Sequence, residues 1–196
     1  MKRLCALTLA LLVILSGCGK RTAKDYFSDA EKEYKAAKTV GDTLRDRSAM
    51  ATLFQPALES YSKVVQEYPN DPLAERALFM TATIRNNEMR DPEKAVVAYK
   101  MYAEKYPDTK QAPIATFLVG YLYHNDLNQI DSAGTWYRRF LDRYPQHEMA
   151  VSAQFELSSL GKPPDELLPA DSLGEQRQGV AEGNKAKKPG VRQHPM

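Results

Sequence analysis

The dipeptide Tyr-Pro occurs three times in this chain of 196 residues, and the three copies are evenly spaced. Tyr68-Pro69, Tyr106-Pro107 and Tyr144-Pro145 lie 38 residues apart. Small and aromatic residues recur in the same register on both sides of each pair: Ala57, Ala95 and Ala133; Tyr61, Tyr99 and Tyr137; Phe79, Phe117 and Phe155. Such self-similarity predicts a row of stacked structural units, each packed against its neighbours.

Each unit is predicted to be a pair of helices. Residues 95–106 place apolar side chains at the spacing of one helical face. The proline of each Tyr-Pro pair is predicted to end a helix. Asp71-Pro72 and Asp91-Pro92 are typical of a helix start, with an N-cap aspartate followed by proline at the first helical position. No stretch alternates in the manner of a strand. The sequence therefore predicts an all-α solenoid of about three helix hairpins plus a C-terminal capping helix.

The register sets the expected boundaries. The solenoid should span residues 24–160, with hairpins at about 24–68, 72–106 and 110–144 and a polar-faced cap at 147–160. The first hairpin holds about 14 residues more than the others between its helices. Residues 43–54 are expected to add helical turns before a break or kink at Pro56. Residues 161–196 are rich in proline, glycine and charge, which predicts a disordered tail.

The third copy carries a family resemblance. Gly120 and Tyr123 fall at the small and tyrosine positions of the first helix of a tetratricopeptide repeat, and Ala133, Tyr137 and Pro145 fall at the matching positions of the second helix. The period is longer than the usual length of about 34 residues. That length and the terminal Tyr-Pro resemble the bacterial-envelope subclass, which includes BamD-like and Tol–Pal-coordinator-like proteins. The resemblance implies a protein that binds other proteins.

In that family the first helices of the hairpins line a concave groove that holds partner segments. Carrying those groove positions onto this sequence gives Glu31, Tyr34, Arg76, Phe79, Thr83, Asn86, Asn87, Phe117, Tyr121, His124 and Asn125, with Phe27 beside them. Amides and hydroxyls suit the backbone of an extended peptide, and rings suit its side chains. The repeated phenylalanines also suit packing between helices, so the non-repeating polar residues are the better candidates.

The N-terminus has the pattern of an export signal. Lys2 and Arg3 precede a 12-residue apolar region at 4–15, in which Thr8 is polar. This region is shorter than the roughly 20 residues needed to span a bilayer. The following LSGC at 15–18 resembles the lipobox of bacterial lipoproteins. The resemblance implies removal of residues 1–17 and a covalent lipid on Cys18, with residues 18–23 as a short linker. Gly19, rather than aspartate, then implies the periplasmic face of the outer membrane.

Other functional classes find little support. A net charge of +2 gives no basis for nucleic-acid binding. The two cysteines, Cys5 and Cys18, cannot form a disulfide framework in the repeats, and the three histidines lack the spacing of a zinc site. No phosphate-binding loop, dinucleotide fingerprint or nucleophile elbow occurs. We therefore expect no catalytic residues, no metal and no cofactor other than the lipid on Cys18.

The sequence thus predicts a lipid-anchored periplasmic scaffold that binds envelope proteins or extended peptide segments, without being an enzyme. Outer-membrane β-barrel assembly is one role that the resemblance implies. Two alternatives stay open. One is an accessory lipoprotein of the Tol–Pal, pilus or secretion machinery, and the other is a non-catalytic subunit of an envelope enzyme.

Overall fold

The computed structural model describes residues 20–43, 46–162 and 166. Cys18, the predicted signal peptide and nearly all of the predicted tail lie outside these residues. The described part is all-α and contains no strand, as the periodicity predicts. Its helices are α1 (Ala23–Gly41), α2 (Arg47–Glu67), α3 (Pro72–Thr83, continued by a π-helical segment Ile84–Glu88), α4 (Pro92–Lys105), α5 (Ala112–Asn125), α6 (Ile130–Arg143) and α7 (Ala150–Ser159).

The helices form a solenoid. Each one packs mainly against its neighbours in the chain, so that α1 with α2, α3 with α4 and α5 with α6 make three stacked hairpins. The last helix, α7, packs against α6. We refer to the first helix of each hairpin as its A helix and to the second as its B helix; α7 is a fourth A helix.

The three Tyr-Pro pairs end the three B helices in one conformation. Tyr68, Tyr106 and Tyr144 have φ, ψ angles of −131°, 53°, of −127°, 52° and of −126°, 49°. A proline ring disfavours the α conformation in the residue before it, which explains why each helix stops there. At the opposite end, Asp71 and Asp91 accept hydrogen bonds from backbone N–H groups of the helices that they precede, as predicted.

A repeated aromatic contact joins the two helices of each hairpin. The ring of an A-helix phenylalanine packs against the ring of a B-helix tyrosine, with centroid distances of 5.4 Å for Phe27–Tyr61, 5.8 Å for Phe79–Tyr99 and 5.5 Å for Phe117–Tyr137. Three residues after each phenylalanine lies a small buried residue: Ala30, Ala82 and Gly120. The repeated phenylalanines and the small residues after them therefore face the B helix.

Of the break or kink predicted at Pro56, the break is wrong. Helix α2 runs without interruption from Arg47 to Glu67, with Pro56 inside it. An internal proline costs about 3 kcal/mol, but burial on both sides of it offsets that cost. Phe54 is fully buried and its ring lies 5.8 Å from that of Tyr34, while Leu58 is buried on the next turn. Each such side chain contributes roughly 1.5–3 kcal/mol.

The turns between the A and B helices of the second and third hairpins share a geometry that the sequence did not predict. The backbone N–H of Met89 donates to the carbonyl of Ile84, and 38 residues later the N–H of Leu127 donates to the carbonyl of Leu122. The residue after each has a positive φ, 49° at Arg90 and 51° at Asn128. Both A helices therefore end in a widened turn closed by a left-handed residue.

The π-helical end of α3 also connects the first two hairpins. It directs Glu88 toward α1, where the Tyr34 hydroxyl donates to Glu88 Oε1 at 3.0 Å and Lys38 Nζ donates to Glu88 Oε2 at 2.9 Å. Insertions of this type recur at functional sites because they redirect side chains. Here the redirected carboxylate links the A helices of neighbouring hairpins.

The exposed face of α7 differs from the polar cap that we predicted. Val151 is 81% exposed and Phe155 is 57% exposed. These two residues are one helical turn apart and so lie on the same face. The prediction of a polar face is therefore wrong at these positions, although α7 does end the stack of described helices.

Tyr61 allows a test of the buried aromatic layer. Its hydroxyl is buried and has no hydrogen-bond partner within the described residues. Burial, with a smaller contribution from the Glu31 carboxylate, raises the pKa of Tyr61 to about 12. A tyrosine in the unfolded chain titrates near pH 10, so this group's contribution to stability is complete below that pH and is lost as the pH rises toward 12.

We expect Tyr61→Phe to leave the free energy of unfolding at neutral pH unchanged, or to raise it by up to about 1 kcal/mol. The variant has no hydroxyl to titrate at this position. Between neutral pH and about pH 11, its free energy of unfolding should therefore fall by about 1 kcal/mol less than that of the wild type. Urea unfolding at a series of pH values measures both effects. Parallel pH profiles for the two proteins would contradict the assignment of a buried, unpaired hydroxyl.

Candidate peptide-binding surface

A cleft of about 560 Å³ opens along the A helices of the first two hairpins. We call it the A-helix cleft. Helix α1 provides one wall, α3 provides the floor, and the loop between α4 and α5 provides the other wall. The lining residues are Phe27 and Glu31 on α1, Glu75, Arg76, Phe79 and Met80 on α3, and Thr109, Lys110 and Gln111 on the loop.

Arg76 connects the floor of the cleft to the α1 wall. Its guanidinium lies 4.6 Å from the centre of the Phe27 ring, and its Nη2 atom lies 3.8 Å from Glu31 Oε1. The side chains of Arg76 and Glu31 are 61% and 48% exposed, and ion pairs of this kind contribute only about 0–1 kcal/mol. Breaking the ion pair therefore costs little free energy, and either side chain can reorient to contact a bound partner.

The rest of the cleft is held by the hairpin core beneath it. The half-buried ring of Phe79 packs edge-on against Tyr99 and Tyr102. The Tyr102 hydroxyl donates to Glu75 and lies 2.8 Å from the hydroxyl of Thr109. These contacts fix both the floor and the loop wall. The cleft thus combines ring surfaces with Glu31, Glu75, Arg76 and Lys110, two groups of each charge.

The predicted groove residues Glu31, Arg76 and Phe79 lie together in this cleft, with Phe27 beside them. Other candidates serve internal contacts. The Tyr34 hydroxyl is bonded to Glu88, and the Thr83 hydroxyl donates to the carbonyl of Phe79 at 3.0 Å. Phe117 is buried against Tyr137 and Phe140.

Asn86 and Asn87 lie apart from the A-helix cleft. They line a separate polar cleft of about 430 Å³ with Arg90, Pro92 and Asp126. Asn86 Nδ2 donates to Asn87 Oδ1 at 3.0 Å. The π-helical segment carries both amides to this end of the hairpin, away from Arg76.

Tyr121, His124 and Asn125 form a third group, at the end of α5 near α7. His124 Nδ1 lies 3.4 Å from Glu156 Oε2 on α7, and Asn125 Nδ2 donates back to the Tyr121 carbonyl at 3.1 Å. The Tyr121 side chain is 40% exposed. Apart from Tyr34, Thr83 and Phe117, the predicted groove residues therefore divide among three regions, and of these the A-helix cleft is the one that combines rings with charged groups.

Sequence reasoning missed the loop wall. Thr109, Lys110 and Gln111 were not considered because the family's groove positions lie on A helices. Their place follows from the repeat itself, since each B helix must return the chain to the start of the next A helix. The residues after Tyr106-Pro107 are therefore brought beside the beginning of α3, where Glu75 and Arg76 lie.

No helix in the described ranges is both long and apolar enough to cross a membrane. Over the same ranges, no three or more histidine, cysteine, aspartate or glutamate side chains are grouped as they would be to hold a metal ion.

Comparison with known proteins supports the repeat assignment. A tetratricopeptide-repeat family model matches residues 76–109, which run from the middle of α3 through α4 to the loop wall of the A-helix cleft. No curated protein gives a significant sequence match. The matched repeat and the all-α solenoid indicate a tetratricopeptide-type scaffold for protein–protein interactions, a class that is typically non-catalytic.

Proposed function

We propose that this chain is a lipid-anchored scaffold on the periplasmic face of a bacterial outer membrane, and that it binds envelope proteins through the A-helix cleft. The observation that carries the binding role is the placement of Arg76 against Phe27 and Glu31, in a cleft that the half-buried Phe79 also lines. A surface with fixed rings and loosely paired charges suits an extended peptide segment, whose apolar side chains and backbone need both kinds of contact.

The dimensions and chemistry of the cleft define the segment that fits best. The exposed parts of Phe79 and Met80 can receive an apolar side chain. Glu31 and Arg76 lie on one side of that position, and Lys110 lies on the loop wall. Since acidic and basic groups are both present, the best-matched segment is a short extended one with one apolar anchor flanked by charges of both signs.

The anchor is proposed from the sequence LSGC at 15–18. Lipid attached to Cys18 would hold the solenoid at the membrane, since two or more acyl chains bind stably where one does not. Residues 19–22 would then be the tether between the lipid and α1, which begins at Ala23.

We expect Cys18→Ser to abolish incorporation of labelled palmitate and to move nearly all of the protein from the membrane fraction to the soluble fraction. Cys5→Ser is the matched control, because Cys5 lies within the apolar run and not at the lipidation position. It should label and fractionate as the wild type does. Undiminished labelling of the Cys18 variant would contradict the lipoprotein assignment.

Among envelope partners, the 38-residue period and the Tyr-Pro ends favour a role in outer-membrane β-barrel assembly, by resemblance to BamD-like proteins. Accessory functions in Tol–Pal, pilus or secretion systems are the alternatives. Affinity capture of the intact lipoprotein from solubilised envelopes separates them. Recovery of barrel-assembly components is expected, and recovery of Tol–Pal or pilus proteins without them would overturn this choice of pathway.

We propose no catalytic activity and no cofactor for this chain apart from the lipid. The proposal rests on the usual role of tetratricopeptide scaffolds and on the absence of catalytic motifs from the sequence. A non-catalytic subunit of an envelope enzyme remains compatible with the cleft. Co-purification with a hydrolase or transferase in the capture experiment would favour that alternative.

A further inference from the structure

Four phenylalanines occupy equivalent places on the four A helices, and within the described part of the chain Phe155 alone lacks a covering helix. Phe27, Phe79 and Phe117 each pack against a B-helix tyrosine. Phe155 lies 38 residues after Phe117 and is 57% exposed. Its equivalents Phe27 and Phe117 are 5% and 9% exposed.

The small residue that follows each phenylalanine shows the same contrast. Ala30 and Ala82 are fully buried. A β-carbon on Gly120 would lie 2.9 Å from the Tyr137 ring, which shows how closely the B helix approaches at this position. The equivalent residue on α7, Ser158, is exposed. Phe155 and Ser158 therefore present the face that receives a B helix in each of the three hairpins.

The three hairpins also specify what covers such a face. Each B helix presents a small residue, a tyrosine four positions later and a large apolar residue three positions after that: Ala57, Tyr61 and Val64; Ala95, Tyr99 and Tyr102; Ala133, Tyr137 and Phe140. All nine of these side chains are buried. These nine residues therefore define the kind of helix surface that packs on the exposed face of α7.

In the 38-residue register, the sequence that follows α7 lacks this pattern, and the B helices of a second copy do not offer it either. At the places where a fourth B helix would carry its small residue, its tyrosine and its large apolar residue, the sequence has Asp171, Glu175 and Gln178. In a second copy, the tyrosines of all three B helices are at most 2% exposed, because their own hairpins already cover them.

We infer that the face of α7 formed by Val151, Phe155 and Ser158 is a docking site for an amphipathic helix of another protein, one that carries the B-helix pattern of a small residue, a tyrosine and a large apolar residue. The docked helix completes a fourth hairpin in trans. This site is separate from the A-helix cleft, and it selects a helix where the cleft selects an extended segment. It does not depend on the proposed membrane anchor.

A peptide with the chain's own B-helix sequence provides a defined probe. We would label residues 129–145 (QIDSAGTWYRRFLDRYP) with a fluorophore and measure its anisotropy during titration with the full chain. Saturable binding is expected. Phe155→Ala should weaken it about tenfold or more, the change produced by a loss of about 1.4 kcal/mol. The same peptide with alanine in place of Tyr137 and Phe140 should not bind.

The matched control on the protein is Val97→Lys. Val97 is an exposed apolar residue on α4, 60% exposed and away from α7, so binding should be unchanged. Far-UV circular dichroism checks that each variant is folded. Equal binding by wild type and Phe155→Ala would overturn the proposal, and so would sedimentation showing that Phe155 instead mediates self-association of the full chain.

Discussion

Phe117→Ala should lower the free energy of unfolding by about 3–5 kcal/mol, whereas Phe155→Ala should lower it by less than about 1 kcal/mol. The two residues occupy the same place in successive repeats. Phe117 is buried between Tyr137 and Phe140, with centroid distances of 5.5 Å and 6.0 Å. Phe155 is more than half exposed. Truncation therefore leaves a cavity in one case and removes surface in the other.

Urea unfolding followed by far-UV circular dichroism measures both values in otherwise identical proteins. The pair is self-controlled, since the chemical change is the same and only the covering helix differs. Similar losses at the two positions would contradict the account, because they would mean either that α6 does not cover Phe117 or that something already covers Phe155.

Gly120→Val should destabilise the solenoid by about 2–3 kcal/mol through overpacking. A β-carbon at this position would lie 2.9 Å from two carbons of the Tyr137 ring. That ring is fully buried and packed by Phe117, so it has little room to move. The higher helix propensity of valine over glycine, a few tenths of a kcal/mol, offsets only a small part of this cost.

The matched control for this substitution is Ser158→Val, at the equivalent exposed position of α7. It should change the free energy of unfolding by no more than about 0.5 kcal/mol. Thermal or urea unfolding of both variants gives the comparison. A neutral Gly120→Val would show that α5 and α6 do not approach each other as closely as the structure has them.

The sequence allowed the architecture to be predicted because its strongest signals are local and repeated. Tyr-Pro ends a helix through the steric effect of proline on the residue before it. Asp-Pro begins a helix because the aspartate side chain accepts a hydrogen bond from a backbone N–H of the first turn, and because proline has no N–H that would be left without a partner there. These effects depend on adjacent residues alone. The recurrence of Tyr-Pro every 38 residues, with small and aromatic residues in the same register, was therefore sufficient to identify the hairpins.

Pro56 shows where local reasoning failed. Taken alone, a proline at this position breaks a helix, but the burial of Phe54 and Leu58 against neighbouring helices keeps α2 continuous. The π-helical end of α3 is similar, since Glu88 is redirected by Tyr34 and Lys38 on another helix. Both outcomes depend on contacts between residues that are distant in the sequence.

The candidate surface was predictable only in part. The register placed Glu31, Arg76 and Phe79 on A helices, and the structure brings these three together. The repeat register could not show that the Thr83 hydroxyl bonds to the Phe79 carbonyl, because a position on a helix does not determine which polar side chains form hydrogen bonds within the fold. It also could not show that Lys110, which lies on a loop, lines the cleft. The exposed Phe155 was likewise visible only once its three equivalents were seen to be covered.

The binding role of the A-helix cleft can be tested most directly by site-specific photo-crosslinking in intact cells. A photoreactive phenylalanine analogue would replace Met80, which lines the cleft, or Thr135, which is exposed on the B helix α6. We predict a discrete crosslinked adduct with an envelope protein from position 80 and none from position 135. Adducts from position 135 with none from position 80 would contradict the account.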